Sequence, residues 1–420
     1  MKFKAQVGGL IEGLKPMFVV ASKGVQKNYE MENVITLNAV KDYLQVMADG
    51  GRVSGKTNIG NSNYNFDYEC IEDGTVTVNA SSLQKSLESF NGSDSIIFEI
   101  VAGKNGNNVR ITSTTEKDEC QVIPVLPVTC SFQEIDAKGK KVISLSVKRE
   151  LFMNYANKIM FAHGDSEQFK EFTYWVLRTE KDGYLRFVSG TGNIFAIIEL
   201  VGKNLSDAKG KEAILFPNDQ TATLVGILGS LKCDMIKIES GEKFVCISCG
   251  ETVINIYNCD PQVKWPDENV FLNRDSKFKF TTKAGSWKNA MKGILATNSD
   301  DLKQQNKIHV CSLGFDLSGK VIQTKTDNSL KSFRKVPIED IGTNEDTKEL
   351  KILCVSKFMN DIISRAGDEE FLQFEIENPD KPVVVRHYAS SGVGDYQGFI
   401  KPSDDGFSER YSVFFATTRE

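Results

Sequence analysis

The sequence predicts an α+β fold of three repeated domains, with helices packed against antiparallel sheets. Three observations predict it. A strand runs into an amphipathic helix at Phe3–Leu14, Val142–Met160 and Phe278–Leu295. A second strand-into-helix unit follows each, at Val76–Phe90, Ala213–Leu231 and Leu350–Ala366. A strongly alternating strand comes next, at Ser95–Val101, Met235–Glu239 and Phe371–Glu377. Copies of about 140 residues account for the whole length, and a repeat of this kind decides architecture before any motif does. The copies share a layout and almost no residues.

Each element has its own signal. In the middle copy, Leu151, Phe152, Tyr155, Ile159 and Met160 recur at helical spacing, with Lys148, Arg149, Asn154 and Lys158 on the opposite face. In the last copy, Trp287, Ala290, Met291, Ile294 and Leu295 form the apolar face. Caps for the second-type helices are expected at Ser81 or Ser82, at Asn218 or Asp219, and at Ser356. Val76-Thr77-Val78, Phe244–Ile247 and Val383–Val385 read as strands bounded by turn residues. Pro124-Val125-Leu126-Pro127 is a connection that no helix crosses. Residues 261–275 hold two prolines and little periodicity. The domains are therefore expected at 1–128, 129–271 and 272–420. Segments 202–212 and 336–349 read as polar, exposed loops.

The bulk numbers exclude several classes. A chain of 420 residues exceeds what one core supports. Its 40% hydrophobic and 25% charged content is ordinary for globular protein, and no apolar run is long enough to span a membrane. The start, Met1–Gln6, lacks the apolar stretch of a signal peptide, so a cytoplasmic protein with no membrane partner is expected. Nine cysteines without scaffold-like spacing read as reduced thiols. A net charge of −5 rules out a uniformly basic chain but leaves room for a local basic face.

Gly50-Gly51-Arg52-Val53-Ser54-Gly55-Lys56-Thr57 fits the phosphate-binding pattern G-x-x-x-x-G-K-[ST]. Such a loop needs a helix starting at the motif, whose free N–H groups complete the anion site. The residues that follow, Asn58–Asn63, are poor helix formers. A glycine-rich turn between antiparallel strands is the preferred reading. Cys246-Ile247-Ser248-Cys249 lacks the second ligand pair of a structural zinc site. His163, His309 and His387 lie too far apart in sequence for a metal set or a relay. No catalytic constellation, metal or cofactor is expected.

Basic residues gather on one equivalent helix per copy: Lys15, Lys23 and Lys27 in the first, Lys148, Arg149, Lys158 and the following His163 in the second, Lys283, Lys288 and Lys292 in the third. Equivalent faces of a repeated array would sum into one positive surface suited to phosphates. No aromatic residues interleave them, so base reading is not indicated.

The chain is similar to the bacterial-type DNA polymerase sliding clamps, the β-subunit rings of replicases. The resemblance covers the whole length as a layout. It is strongest at Tyr184–Ala196, where such clamps have strand, tight turn and strand, and at Trp265-Pro266-Asp267. The opening Met1-Lys2-Phe3 and the closing Tyr411–Phe414 also fit. The resemblance implies a non-enzymatic head-to-tail homodimer whose domains form a ring around duplex DNA, helices inside and sheets outside. It also implies a polymerase and a clamp loader that bind through short linear peptides. The matching pocket positions are Phe172, Gly192, Asn193, Ile194, Phe195, Pro266, Val270, Val413, Phe414 and Ala416. The matching ring seam pairs Cys120 and Val122 with Ile294 and Leu295. Asn193 and Ile194 replace the usual His and Arg of the turn, and the ending Ala416–Glu420 departs from the usual one. Such divergence fits a phage-encoded member. The competing readings are a nucleotide-binding protein built on the Lys56 motif and a structural assembly protein of a phage.

Overall fold

The structure is a computed structural model. It describes all residues except 24–32, 61–65, 105, 117, 135–142, 165–168, 180–183, 203–204, 208–211, 242–243, 258–262, 273–275, 303–309, 317–319, 327–332, 343–348, 389–400, 403–406 and 417–420. The first copy runs β1 (Lys2–Gln6), α1 (Val7–Lys23), β2 (Val34–Ala39), β3 (Tyr43–Asp49), β4 (Val53–Gly60), β5 (Tyr68–Glu72), β6 (Gly74–Asn79), α2 (Ala80–Glu88), β7 (Ser95–Gly103), β8 (Gly106–Ser113) and β9 (Cys120–Pro124). The second runs β10 (Ile143–Lys148), α3 (Arg149–Ile159), β11 (Tyr174–Thr179), β12 (Leu185–Gly190), β13 (Ile194–Gly202), β14 (Glu212–Pro217), α4 (Thr221–Gly229), β15 (Met235–Ser240), β16 (Phe244–Cys249) and β17 (Thr252–Tyr257), then the short α5 (Asn269–Leu272). The third runs β18 (Phe278–Lys283), α6 (Ala284–Leu302), β19 (Val310–Asp316), β20 (Val321–Thr326), β21 (Phe333–Pro337), β22 (Asp340–Ile341), β23 (Glu349–Val355), α7 (Ser356–Ile363), β24 (Phe371–Ile376), β25 (Val383–Tyr388), β26 (Lys401–Pro402) and β27 (Phe407–Phe415). Each expected strand-into-helix unit is present. The stretch 336–349, read as a loop, instead contains the end of β21, all of β22 and the first residue of β23, with 343–348 outside the described residues.

The strands form antiparallel sheets of order β5-β1-β7-β8-β9, β10-β15-β16-β17-β4-β3-β2-β6, β14-β11-β12-β13-β27-β25-β24-β18-β22 and β21-β20-β19-β23. Two pairings join strands of different copies. β4 pairs with β17, where the hydroxyls of Thr57 and Thr252 meet at 2.8 Å. β13 pairs with β27 from Ile194↔Phe415 to Gly202↔Phe407. The chain accordingly divides into two compact units, Met1–Asn157 with Asp219–Gln262, and Lys158–Asn218 with Val263–Glu420.

In the first unit, α1 packs on β3, β4, α2 and α4. Its Leu10, Leu14, Met17 and Val20 are buried, as the helical apolar spacing requires. Gly13 lies so close to the Ile59 side chain that a Cβ there would stand 2.8 Å from it. Phe3 stacks on Phe98 at 4.7 Å beneath the sheet. Lys56 and Thr57 of the phosphate-loop pattern sit inside β4. Gly50 N–H bonds Val53 O at 2.8 Å, and Gly51 takes φ 82° in the turn, which favours glycine. The Lys56 ammonium pairs with Glu134 at 2.9 Å. The stretch is a hairpin with no helix following it in sequence, so its N–H groups serve strand pairing and cannot wrap a phosphate.

Three expectations need correction here. The cap of α2 is Asn79, whose Oδ1 accepts from the Ser82 N–H at 2.9 Å, while Ser81 and Ser82 lie inside the helix. The residues N-terminal to α4 and α7, Gln220 and Val355, make no capping side-chain bond. Cys249 is not a free thiol, because it forms a disulfide with Cys233, their Cα atoms 6.1 Å apart. The β15–β16 hairpin brings these two together, a proximity that the 246–249 spacing does not express. Cys246 stays buried and unbridged, and burial pushes its thiol up to about 11.

In the second unit, Trp175 is fully buried and stacks on Phe216 at 4.3 Å and Phe187 at 6.1 Å. Phe280, Phe374 and Trp287 form a second stack, and the Trp287 N–H donates to Thr282 Oγ1 at 2.6 Å. These rings fix the inner face of the long sheet. The other face carries the site.

Candidate functional site

Strand register places an apolar band on that other face. Leu215, Val176, Val188 and Ile197 stand side by side across β14, β11, β12 and β13. Phe195, Phe414 and Val384 form the adjoining row across β13, β27 and β25. With Leu272 they make one cluster, against which Phe172 and Trp265 pack half-buried. Phe172 meets Trp265 edge-on at 5.7 Å, and Phe195 meets it at 6.1 Å. Phe169 next to Phe172 is 44% exposed and Val270 is 66% exposed, so the band opens to solvent at this end. An apolar, aromatic-lined opening of this kind suits the anchor side chains of a short peptide.

Polar contacts hold the rim. The Thr191 hydroxyl accepts from the N–H groups of Asn193 and Ile194, both at 3.0 Å, and fixes the tight turn between β12 and β13. Asn193 O accepts from Ala416 N–H at 2.8 Å, which ties the turn to the end of β27. The Asn218 amide donates to Gly164 O at 2.8 Å and Phe172 O at 2.7 Å, so it positions Phe172 instead of capping a helix. A Cβ on Gly190 would overlap the Phe195 ring, so glycine lets that ring lie flat on its neighbour strand.

The same face then turns ionic. Arg178, Arg186, Glu199 and Arg410 follow one another across β11, β12, β13 and β27. Arg186, only 8% exposed, donates to Glu199 at 2.6 Å and to Glu268 at 3.0 Å. Burial opposes its charge, but Glu199 and Glu268 outweigh that and hold it firmly protonated. Arg178 also reaches Glu268, at 2.8 Å. Beyond them Arg386 bonds Glu375 at 2.8 Å and the Ser412 hydroxyl at 2.8 Å. Residues 263–272 are thus fastened over the sheet by Glu268 at one point and by Trp265 and Leu272 at others.

Most of the expected pocket positions gather here, at different depths. Phe172 and Pro266 are half-buried, and Gly192, Asn193 and Val270 are exposed. Phe195 and Phe414 are buried in the band, whereas Ile194 and Val413, also buried, hold the alternate register positions on the opposite face of the sheet and do not line it as expected. Ala416 is half-buried at the rim. Trp265, Leu272 and the ionic group are not among the expected site residues. The signal for the latter is a charged residue inside an apolar strand, as in Leu185-Arg186-Phe187-Val188 and Ile197-Ile198-Glu199-Leu200.

The cationic positions divide. Lys15, Lys148 and Lys292 are exposed on or beside α1, α3 and α6. Lys158 pairs with Glu409 and sits 4.9 Å over the Tyr411 ring, Lys288 pairs with Asp368 at 2.7 Å, and Lys283 pairs with Glu369 at 2.6 Å. Arg149 does not face outward as expected. Its guanidinium donates to Leu228 O at 3.1 Å and to Leu231 O, closing the C-terminal end of α4. His163 is also not a surface cation, because burial pushes its imidazole down to about 4 and keeps it neutral. The side chain of Lys23, and Lys27 altogether, lie outside the described residues. At the expected seam, Cys120 and Val122 are exposed on β9, an edge strand. Ile294 is fully buried in its own helix–sheet core and cannot form a surface seam, and Leu295 is half-buried. No group of His, Cys, Asp and Glu among the described residues could hold a metal. No described helix is long and apolar enough to cross a membrane.

Comparison with solved structures finds this fold over the full chain. A DNA polymerase sliding clamp from Bacillus subtilis matches with a TM-score of 0.76 at 14% identity, covering 100% of this chain and 99% of that one. A sliding clamp from Pseudomonas aeruginosa, solved with a ligand, matches at 0.77 and 14%, covering 100% of both chains. The sliding clamp from Caulobacter crescentus matches at 0.75 and 15%, again covering 100% of both. No protein-family model and no curated protein matches the sequence.

Proposed function

We propose that this chain is a non-catalytic processivity clamp, divided into domains at 1–128, 129–271 and 272–420. In this reading it encircles duplex DNA as a head-to-tail dimer and holds a polymerase and its loader through short linear peptides. The peptides seat against Phe172, Trp265 and Val270, above the Phe195–Phe414 row. The observation that carries the reading is the full-length agreement of fold with sliding clamps at TM-scores of 0.75 to 0.77. The open apolar band supports the partner site, and the exposed lysines on the leading helix unit of each copy support the DNA-facing side.

Binding to DNA is then electrostatic and indifferent to sequence, carried by Lys15, Lys148 and Lys292. Replacing any one of these lysines by Ala removes two contacts per dimeric ring and should flatten the slope of log affinity against log salt by about 1.8. The deciding experiment loads the protein on circular DNA, then linearises half the sample. Retention on the circle with release from the linear form is expected, and equal retention on both refutes topological binding. The nucleotide-binding alternative has no support, since its motif is a strand hairpin.

A further inference from the structure

Beside the apolar band lies a cavity of about 280 Å³ of a different character. Its walls are the ends of β11 and β14 and the segment from Trp265 to Asn269. Arg178, Glu212, Asp267 and Glu268 line it and Arg186 reaches Glu268 from behind, so three carboxylates stand against two guanidinium groups. Glu268 is 1% exposed, yet its Oε2 has no hydrogen-bond partner although its Oε1 receives both arginines. A buried carboxylate oxygen without a donor has given up its hydration with nothing in return, and an incoming cation with N–H groups relieves that cost. Trp265 is the partition. It packs on Phe172 and Phe195 on the apolar side and also lines this cavity, and its Nε1 is buried and unpartnered.

We infer that the cavity is a second peptide subsite, which takes a Lys or Arg side chain of the same peptide whose apolar anchors lie across Trp265. The inference rests on the proposed peptide-binding reading and deepens it. The apolar band supplies affinity without direction along the chain. A fixed cationic position on one side of Trp265 sets which way the peptide runs and which peptides are accepted.

The test selects binders from a displayed library of random dodecapeptides against the full-length protein. Apolar or aromatic pairs should be enriched, with Lys or Arg at a constant offset from them. Replacing that basic residue by Ala in a selected peptide should weaken binding about tenfold or more, as for a hydrogen bond to a buried charge. On the Glu268→Gln variant the same replacement should have little effect. Because Glu268 also binds Arg178 and Arg186, the Glu212→Gln variant provides a second reading outside that pair of contacts, with a smaller loss in the same direction. Enriched apolar pairs without a fixed basic residue overturn the cationic subsite and leave the apolar pocket standing. An equal loss on parent and both variants does the same. A selection that enriches nothing overturns both.

Discussion

Replacing Arg186 by Met tests whether the segment 263–272 is held by charge or by its apolar contacts alone. The Arg186 guanidinium makes bonds of 2.6 and 3.1 Å to Glu199, 3.0 Å to Glu268 and 3.3 Å to Asn269. Met fills similar space but takes these bonds from Glu199 and Glu268, which Arg410, at 3.7 Å, and Arg178 still approach. Removing one partner of a buried pair costs about 3–5 kcal/mol, because the remaining charge stays out of water. Surface pairs cost at most about 1 kcal/mol, so Lys232→Ala, which breaks a pair 64% and 40% exposed, is the control. Hydrogen exchange read by mass spectrometry over residues 263–272 and β12 resolves the effect locally. A destabilisation of about 3 kcal/mol raises exchange through local opening on the order of 100-fold. If Arg186→Met accelerates exchange no more than Lys232→Ala does, the ionic group does not fasten the segment.

Three further outcomes are expected. Val270→Asp should leave the melting temperature unchanged, since the side chain is 66% exposed, and should weaken binding of a library-selected peptide by about tenfold or more; unchanged affinity would remove Val270 from the site. His163 is held neutral to about pH 4 in the folded protein, against an ordinary value near 6.5. The unfolded chain therefore binds more protons between these values, so the stabilisation is complete above pH 6.5 and is lost as pH falls toward 4. Urea unfolding at about pH 7 and about pH 5 should show part of that loss, about 2 kcal/mol, and His163→Gln should flatten it. Lys56→Ala should cost less than about 1 kcal/mol, and calorimetry should detect no ATP binding by either protein; measurable binding by the parent alone would restore the phosphate-loop reading.

The strand-into-helix units were legible because their signals are local. Alternation in Ser95–Val101 and the helical spacing in Leu151–Ile159 need no knowledge of the rest of the chain. The tight turn at Thr191–Ile194 and the apolar character of Phe195 and Phe414 were legible in the same way. What a side chain does with a distant partner was not. Lys158 reads as an outward cation until Glu409 is seen beside it, 251 residues away. Arg149 reads likewise until the end of α4 is placed over it. Asn218 has the composition of a cap, yet two carbonyls of another segment claim its amide. Caps failed for a related reason: Asn79 ends a strand, and the serines after it look like better candidates by type alone. Ile294 shows the limit of periodicity, which places a residue on the apolar face of a helix without saying whether that face meets its own sheet or a second chain.

The pairing of β13 with β27 has a consequence for how the molecule is made. β13 leaves the ribosome about 200 residues before the strand that covers its edge. During that interval the run Ile194-Phe195-Ala196-Ile197-Ile198-Glu199-Leu200-Val201-Gly202 shows unpaired backbone to its surroundings. Such an edge is a template for other chains, and closing it late is slow because so long a loop must be ordered first. β27 is also the strand that places Phe414 in the apolar band. A nascent or truncated chain that stops before Phe407 therefore lacks both its sheet closure and the Phe414 part of the apolar band.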